Sequence, residues 1–231
     1  MDILVYIRNG YNEELRYAIR SWCRNLEFRK LAVVSGSQPP IWLKPDVLIK
    51  NPSVLGKVRQ AYSNIRLGLS DERLSDELLL CMDDTFVLKP LGKWESGFNF
   101  NRGALRTQWG VGSATGAVDS YHVQVRNTYN ALHHLFSEPN SFELHAPFWC
   151  EKKKMAKILA IKDVEKYLIR SLYGNKNHVR TDYLPDLKIT SCIEDLPQGS
   201  VFASTTDTTF ASGKVGQEIR SLFPTPSRYE H

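Results

Sequence analysis

The stretch ELLLCMDDTFVLKPL, residues 77–91, decides the fold that this sequence predicts. Its first six residues are mainly aliphatic, which predicts a buried strand that runs directly into Asp83 and Asp84. Two adjacent ionised carboxylates at the end of a buried strand are costly unless a cation compensates them. Mg²⁺ and Mn²⁺ prefer oxygen ligands and are commonly completed by substrate phosphates. The pair therefore indicates a divalent-metal site that binds a diphosphate, while a turn or a cap is the simpler interpretation of the dipeptide.

The segments before residue 77 alternate between strand and helix patterns. Short aliphatic runs predict strands, and apolar residues at helical spacing predict helices. Asn12 is a suitable N-cap, since its side chain can accept a hydrogen bond from a free amide of the first turn. The predicted elements are strands at 3–7, 31–35 and 77–82 and helices over 12–22 and 57–69. This order is typical of an α/β, Rossmann-like fold with a mixed, mostly parallel sheet flanked by helices.

Polar residues follow all three of these strands where each strand ends. Arg8 and Asn9 come after the first strand, SGS at 35–37 closes the second, and the acidic pair comes after the third. Ligands of such sheets collect beyond the carboxyl ends of the strands. Arginine binds phosphate in bidentate fashion, although a surface salt bridge is the simpler interpretation of any single arginine. The arginines considered as phosphate ligands are Arg8, Arg16, Arg20 and Arg180.

The composition restricts the class of protein. The chain has 231 residues, of which 42% are hydrophobic, and this suffices for one globular unit. No apolar stretch is long enough to span a membrane. The four cysteines stand singly, which argues against a structural zinc site or a disulfide scaffold and favours a reducing cytoplasm. A formal net charge of +5 suits an anionic partner, and the sequence has neither a P-loop nor a dinucleotide-binding glycine motif.

The second half of the chain is less regular. Helical spacing recurs at 122–136 and 152–172, and the glycine-rich GVGSATG at 110–116 is interpreted as a loop. His145 lies within ELHAPFW, between apolar residues and close to a proline. A neutral imidazole can serve as a base near neutral pH, so His145 is a candidate catalytic residue, and a structural histidine is the alternative.

Several blocks of the sequence resemble the Stealth family, in the order in which that family has them. Members of the family transfer hexose-1-phosphate from a sugar nucleotide, and they include capsule polysaccharide phosphotransferases. The similar blocks are NEELRYAIRSW (12–22), LAVVSGSQPPIWL (31–43), GLSDERLSDELLLCMDDTFVLKPL (68–91), ELHAPFW (143–149), HVRTDY (178–183), FASTTDTTF (202–210) and LFPTPSRYE (222–230). Met82 stands where the family has an asparagine before its acidic pair.

The resemblance implies a GT-A-like nucleotide-diphospho-sugar transferase fold. Residues 1–231 would form a single domain, with 1–91 as the donor-binding half and 92–231 as the acceptor and catalytic half. The sequence therefore predicts a metal-dependent glycosyltransferase or sugar-1-phosphate transferase with a nucleotide-sugar donor. The acceptor would be a glycan or another hydroxyl compound.

The resemblance also implies roles for single residues. Asp83 and Asp84 would bind Mg²⁺ or Mn²⁺ together with the donor diphosphate, and Asp84 would take part in catalysis. His145 would be catalytic, and Asp207, which looks like the family's late acidic position, is the alternative acid or base. The residues expected to contact the donor phosphates are Arg16, Arg20 and Arg180, beside Arg8 and Asn9.

Two other functions are compatible with the same sequence. A phage-like DNA glycosyltransferase would keep this site and use a hydroxymethylated base as acceptor, because aromatic residues lie near arginines in one stretch. Those residues are Trp94, Phe98, Phe100 and Trp109 with Arg102 and Arg106, and packing is the simpler explanation of the aromatics. A non-catalytic binding module with the same fold would bind neither nucleotide nor metal.

Overall fold

The computed structural model describes residues 1–7, 12–36, 38–108 and 120–231. The elements in these ranges are β1 (Asp2–Tyr6), α1 (Glu13–Asn25), β2 (Leu26–Glu27), β3 (Leu31–Ser35), β4 (Val47–Lys50), α2 (Lys57–Ser70), β5 (Glu77–Cys81), β6 (Thr85–Val87), β7 (Gly92–Lys93), β8 (Phe98–Asn101), α3 (Ser120–Leu132), β9 (Phe148–Glu151), α4 (Lys152–Leu159), α5 (Ile169–Lys176), β10 (Arg180–Tyr183), β11 (Lys188–Ile189), β12 (Phe202–Thr205), α6 (Asp207–Ser212) and α7 (Lys214–Leu222). None of these helices combines the length and the apolar character that a membrane-spanning helix needs.

The central sheet has five strands in the order β4, β3, β1, β5 and β9. The first four strands are parallel, and Ile3 of β1 lies opposite Leu31 of β3 on one side and Leu79 of β5 on the other. The strands of a parallel sheet are apolar on both faces because helices cover both, and β3 is buried throughout. The predicted α/β class with a mixed, mostly parallel sheet is confirmed. No pattern in the sequence predicts β9, which is antiparallel to β5.

Helices cover the two faces of this sheet. The connections from β1 to β3 and from β4 to β5 cross the sheet in opposite directions, so right-handed crossovers place α1 and α2 on opposite faces. The Asn12 side chain accepts a hydrogen bond from Leu15 N at 2.9 Å, which confirms the predicted N-cap of α1. α2 approaches β1 closely at Gly68, where a Cβ atom would lie 2.4 Å from Leu4 Cδ2.

A smaller sheet brings the end of the chain to the acidic pair. Its strands run in the order β11, β12 and β6. β12 is parallel to β11 and antiparallel to β6, so that Lys188, Ser204 and Thr85 lie in register across the three strands. Because β6 begins directly after Asp84, this register places a lysine and a serine next to that carboxylate.

The second half departs from the helical pattern of the sequence. The helical spacing predicted at 152–172 corresponds to three separate segments, which are α4, a 3₁₀ helix at Val164–Lys166 and the start of α5. Asp163 has a φ of 54°, in the left-handed region that an α-helix does not accommodate, and it separates α4 from α5. The GVGSATG stretch at 110–116 lies outside the described residues.

Candidate functional site

The acidic pair lies at the switch point of the central sheet. From β1 the chain moves outward through β3 and β4, and α2 then returns it to β5 on the other side of β1. Ligands of open α/β sheets bind at this point, in the crevice outside the carboxyl ends of the strands. Asp83 and Asp84 stand at the carboxyl end of β5, where such a crevice is expected. Arg8 and Asn9, which follow β1, lie outside the described residues.

Asp83 is connected to the start of α1. Asn12 Nδ2 donates a hydrogen bond to Asp83 Oδ2 at 2.6 Å, while Oδ1 of the same amide caps the helix. The N-terminus of a helix carries a partial positive charge, which stabilises a nearby carboxylate. One asparagine therefore fixes the helix start and the first carboxylate relative to each other.

Asp84 pairs with a cation that the chain itself supplies. Lys188 Nζ lies 2.9 Å from Asp84 Oδ2, and Ser204 Oγ donates a hydrogen bond to the same oxygen at 3.0 Å. The Asp84 side chain is 16% exposed and the Lys188 side chain is 33% exposed, so water screens the pair only in part. The register of β11, β12 and β6 holds both donors next to the carboxylate.

His145 joins this array through both ring nitrogens. Its Nδ1 lies 3.0 Å from Asp186 Oδ2, and its Nε2 lies 3.3 Å from Lys188 Nζ. A carboxylate only accepts hydrogen bonds and an ammonium group only donates them, so Nδ1 carries the proton and Nε2 presents its lone pair to the lysine. The neutral ring therefore has the tautomer that a general base needs at Nε2.

Asp186 holds the His145 ring in this orientation. Burial opposes the ionisation of Asp186, but the hydrogen bonds from His145 and the charge of Arg102 keep its pKa below the ordinary value. His145 N donates a second hydrogen bond to Asp186 Oδ1 at 2.8 Å. The buried Arg170 fixes the preceding segment by donating to Leu144 O at 2.8 Å. A base whose second nitrogen is oriented by a carboxylate is a recurring arrangement in catalysis.

A second acidic contact is made by the residue after Ser204. Thr205 Oγ1 donates a hydrogen bond to Glu14 Oε1 at 2.6 Å, and Glu14 also shares a side-chain hydrogen bond with Asp207. Burial raises the pKa of Glu14 to about 8, the Thr205 bond opposes the rise, and the Asp207 bond and the charge of Asp84 add to it. The structure thus brings Asp207, the predicted alternative acid or base, to a buried and largely protonated carboxyl group in the field of the acidic pair.

The acidic pair offers hard oxygen ligands without forming a closed metal cage. In the parts of the chain that the structure describes, no three His, Cys, Asp or Glu side chains group together in a way that could hold a metal ion. Mg²⁺ does not need such a cage, because one or two carboxylates, waters and substrate phosphates commonly complete its shell. The Lys188 ammonium on Asp84 shows that this carboxylate accepts a cation. Asp83 and Asp84 therefore fit a Mg²⁺ or Mn²⁺ ion that binds together with a diphosphate.

Three of the predicted phosphate-binding arginines pair with carboxylates of the chain. Arg20 Nε and Nη2 bind the two Glu230 oxygens at 2.9 and 2.7 Å, and Arg16 Nε lies 3.5 Å from the same carboxylate. Arg180 pairs with Glu95 at the surface. Their contact with phosphate stays a prediction, and the structure shows them in contact with these carboxylates instead.

Arg20 also lines a groove of about 770 Å³ at the far end of α1. With 13 residues and a rise of about 1.5 Å per residue, α1 separates this groove from Asn12 and the acidic pair. Other residues that line the groove are Cys23, Arg24, Phe28, Phe223 and Arg228. We place the candidate site at the acidic pair, because the base, its orienting carboxylate and the acidic groups converge there.

The aromatic residues considered for base stacking pack on one another. Trp94 is buried and lies edge-on to Phe100 with ring centroids 5.9 Å apart, and Phe98 lies 5.0 Å from Phe100. The neighbouring arginines pair with carboxylates. Trp109 lies outside the described residues. Packing therefore accounts for the described aromatics, and they give no support to a DNA acceptor.

Four residues of the array were not singled out from the sequence as site residues. Glu14 lies in the first turn of α1, where an acidic residue suits the helix start, and Ser204 lies in the threonine-rich FASTTDTTF at 202–210. Asp186 and Lys188 flank Leu187 in a stretch without long periodicity. Residues two apart in an extended chain lie on the same side. The spacing of Asp186 and Lys188 is therefore the one sequence signal that the two side chains face a common site.

Comparison with known proteins gives structural likenesses at low sequence identity. No protein-family model and no curated protein matches the chain. The apo-form glycosyltransferase GlyE of Streptococcus pneumoniae TIGR4 is similar at 19% identity with a TM-score of 0.31, over 49% of this chain and 31% of GlyE. The galactosyltransferase LgtC, solved with donor and acceptor sugar analogues, is similar at 13% identity with a TM-score of 0.49, over 98% of this chain and 96% of LgtC. This chain thus spans about a third of the length of GlyE.

Proposed function

We propose that this chain is a nucleotide-sugar-dependent transferase that moves a sugar, or a sugar-1-phosphate, onto an acceptor hydroxyl group. The observation that carries the proposal is the convergence of Asp84, Lys188, His145 and Asp186 at the switch point of a mostly parallel sheet. The resemblance of the sequence blocks to the Stealth family supports the same donor chemistry and a GT-A-like fold.

The donor diphosphate lies in the crevice beyond β1 and β5, next to Asp83 and Asp84. Carboxylates and phosphates repel each other, so positive charge has to lie between them. A Mg²⁺ or Mn²⁺ ion, when bound, supplies this charge and stabilises the departing nucleotide. The two aspartates would hold the ion from the protein side, and Asn12 keeps Asp83 in position.

His145 Nε2 accepts the proton of the acceptor hydroxyl group. In sugar transfer, the hydroxyl oxygen bonds to C1 of the sugar, and the bond from C1 to the diphosphate oxygen breaks. In sugar-1-phosphate transfer, the oxygen bonds to the phosphorus next to the sugar, and the bond from that phosphorus to the bridging oxygen breaks. The electron pair leaves with the nucleotide in both cases. Asp186 stabilises the protonated ring through Nδ1.

Calorimetry with UDP, GDP and CDP sugars, each with and without Mn²⁺, tests the donor site. We expect one nucleotide class to bind in the presence of Mn²⁺ and Asp84→Asn to lose that metal-dependent binding. Asp163→Asn is the matched control, because Asp163 also pairs with a lysine at 2.9 Å but lies on the exposed turn after α4. Binding equal to the wild type in Asp84→Asn would remove Asp84 from the donor site.

Incubation of the protein with the labelled donor then tests the reaction. Glycans and hydroxymethylated DNA are offered as acceptors in parallel. Release of a nucleoside diphosphate identifies sugar transfer, and release of a nucleoside monophosphate identifies sugar-1-phosphate transfer. If no nucleotide sugar binds with or without metal, the transferase proposal is wrong and the non-catalytic binding module replaces it.

A further inference from the structure

We infer that Lys188 is a resident cation that keeps the site inactive until a divalent ion and a diphosphate displace it. The inference rests on the proposed function for the identity of the diphosphate. Lys188 is a positioning residue in this scheme, because it acts through Asp84 and His145. Its ammonium group contacts Asp84, the proposed metal ligand, and His145, the proposed base, at the same time.

Lys188 bridges Asp84 and His145. Nζ lies 2.9 Å from Asp84 Oδ2 and 3.3 Å from His145 Nε2. Ser204 Oγ donates to the same Asp84 oxygen at 3.0 Å, so the two donors together take the two lone pairs of Oδ2. In this arrangement Oδ2 has no lone pair left for a metal ion, and the lone pair of Nε2 faces an ammonium group.

The backbone fixes this bridge before any ligand binds. Lys188 lies in register with Ser204, and Ser204 lies in register with Thr85, the residue after Asp84. The lysine Cα is therefore held by strand pairing, while its four-carbon side chain can change rotamer and is one-third exposed. The side chain can thus leave Asp84 without any change in the sheet.

A divalent ion and the lysine compete for the same carboxylate. A Mg²⁺ ion binds its oxygen ligands at about 2.1 Å, which places it within a few ångströms of an ammonium group that contacts the same carboxylate. Two cations at such a distance repel each other. The negative oxygens of a diphosphate offer the ammonium group another partner. When the Lys188 ammonium group moves onto the diphosphate, Asp84 Oδ2 becomes available to the metal ion. The same movement makes His145 Nε2 available to the acceptor hydroxyl group.

Mn²⁺ binding without any nucleotide is the first test. Electron paramagnetic resonance measures the free Mn²⁺ over the wild type, Lys188→Met, Lys188→Arg and Lys166→Met. Lys166 is the matched control, because its Nζ lies 2.9 Å from Asp163 Oδ2 in an exposed pair. We expect Lys188→Met to bind Mn²⁺ about tenfold more tightly than the wild type, as a coupling between two competing cations. Lys188→Arg, which keeps the charge, and Lys166→Met should bind like the wild type.

The ring nitrogens of His145 give the second test. In protein with ¹⁵N-labelled histidine, Lys188→Met should change the Nε2 shift of His145 and leave its Nδ1 contact with Asp186 in place. Magnesium with inorganic pyrophosphate should produce the same Nε2 change in the wild type and no further change in Lys188→Met. Equal or weaker Mn²⁺ affinity in Lys188→Met, or an Nε2 shift that magnesium pyrophosphate does not move, would overturn the inference. Failure of the proposed function would give a different result. Lys188→Met would still bind Mn²⁺ more tightly than the wild type, but no nucleotide sugar would be turned over.

Discussion

Glu14 accepts a hydrogen bond from Thr205 Oγ1 at 2.6 Å inside the protein, and the pKa of this carboxyl group is raised to about 8. Burial is the largest cause, and the pKa of a glutamate in the unfolded chain lies near its ordinary value of 4.5. The folded state therefore binds a proton more tightly than the unfolded state between these two values. Stability from this group is fully present below the lower pKa and is lost as the pH rises through about 8.

We expect the free energy of unfolding of the wild type to fall between about pH 5 and about pH 8 because of Glu14, by at most about 1.4 kcal/mol per pH unit. Glu14→Gln keeps an acceptor for Thr205 but cannot ionise, so it should flatten this slope. Urea unfolding at a series of pH values measures it, and Glu13→Gln, a neighbouring acid paired with Arg220, is the control. An unchanged slope in Glu14→Gln would show that this carboxyl group is ionised in the folded protein.

Asp186→Asn should slow the reaction without weakening donor binding. The asparagine cannot stabilise a charged ring as a carboxylate does, and general-base catalysis typically contributes at least about 10²-fold to a rate. We expect kcat to fall by about that factor while the donor dissociation constant stays within about twofold. Single-turnover kinetics and calorimetry measure the two quantities. Asp195→Asn, at an exposed carboxylate paired with Lys214, is the control, and a change in affinity alone would contradict the orienting role.

Arg20→Lys separates a structural role from phosphate binding. The guanidinium group binds both oxygens of Glu230 and two backbone carbonyls near the end of the chain, and a lysine cannot reproduce this fork. We expect a loss of about 2 kcal/mol in the free energy of unfolding and no change in donor affinity. Denaturant unfolding and calorimetry test the two statements. A weaker donor complex at unchanged stability would instead support the phosphate contact that the sequence predicts.

Gly68→Ala should destabilise the packing of α2 on β1. The added Cβ would lie 2.4 Å from Leu4 Cδ2 in the buried core, whereas at Gly56 nothing lies within 4 Å. Alanine favours helix by about 1 kcal/mol over glycine, but overpacking a core typically costs about 1–3 kcal/mol. We expect a net loss for Gly68→Ala that exceeds the loss for Gly56→Ala, where glycine is the N-cap of α2 and alanine is the poorer cap. Thermal unfolding compares the two, and equal midpoints would contradict the close approach.

The first half of the fold is predictable from the sequence because its signals are local. The aliphatic runs of β1, β3 and β5, the helical spacing of α1 and α2, and the N-cap at Asn12 are each contained in a few consecutive residues. The acidic pair is predictable for the same reason, since two carboxylates directly follow a buried strand. The break between α4 and α5 is not, because it depends on a left-handed backbone at Asp163 that the residue type does not require.

The partners of the acidic pair are not predictable in this way. Lys188 reaches Asp84 over a separation of 104 residues, and Asp186 reaches His145 over 41. Both contacts depend on strand register in the smaller sheet and on the path of the chain after β10, and neither has a local pattern. Arg16 and Arg20 show that residue type alone does not identify a ligand contact. Arginine is suited to phosphate, but in this fold both side chains contact Glu230.

The pairing of β12 with β6 also has a consequence for synthesis. Ser204 and Asp84 are separated by 120 residues, so the contact closes a long loop of the chain. Contacts of such separation form late, because their closure entropy is compensated only after local structure exists. A chain emerging from the ribosome can assemble β1 to β5 while Asp84 still lacks its lysine, and the carboxylate is then open to any cation in the cell. When β12 pairs with β6 and β11, it brings Lys188 to Asp84. The last strand of the chain to be synthesised therefore restricts which cations reach this carboxylate.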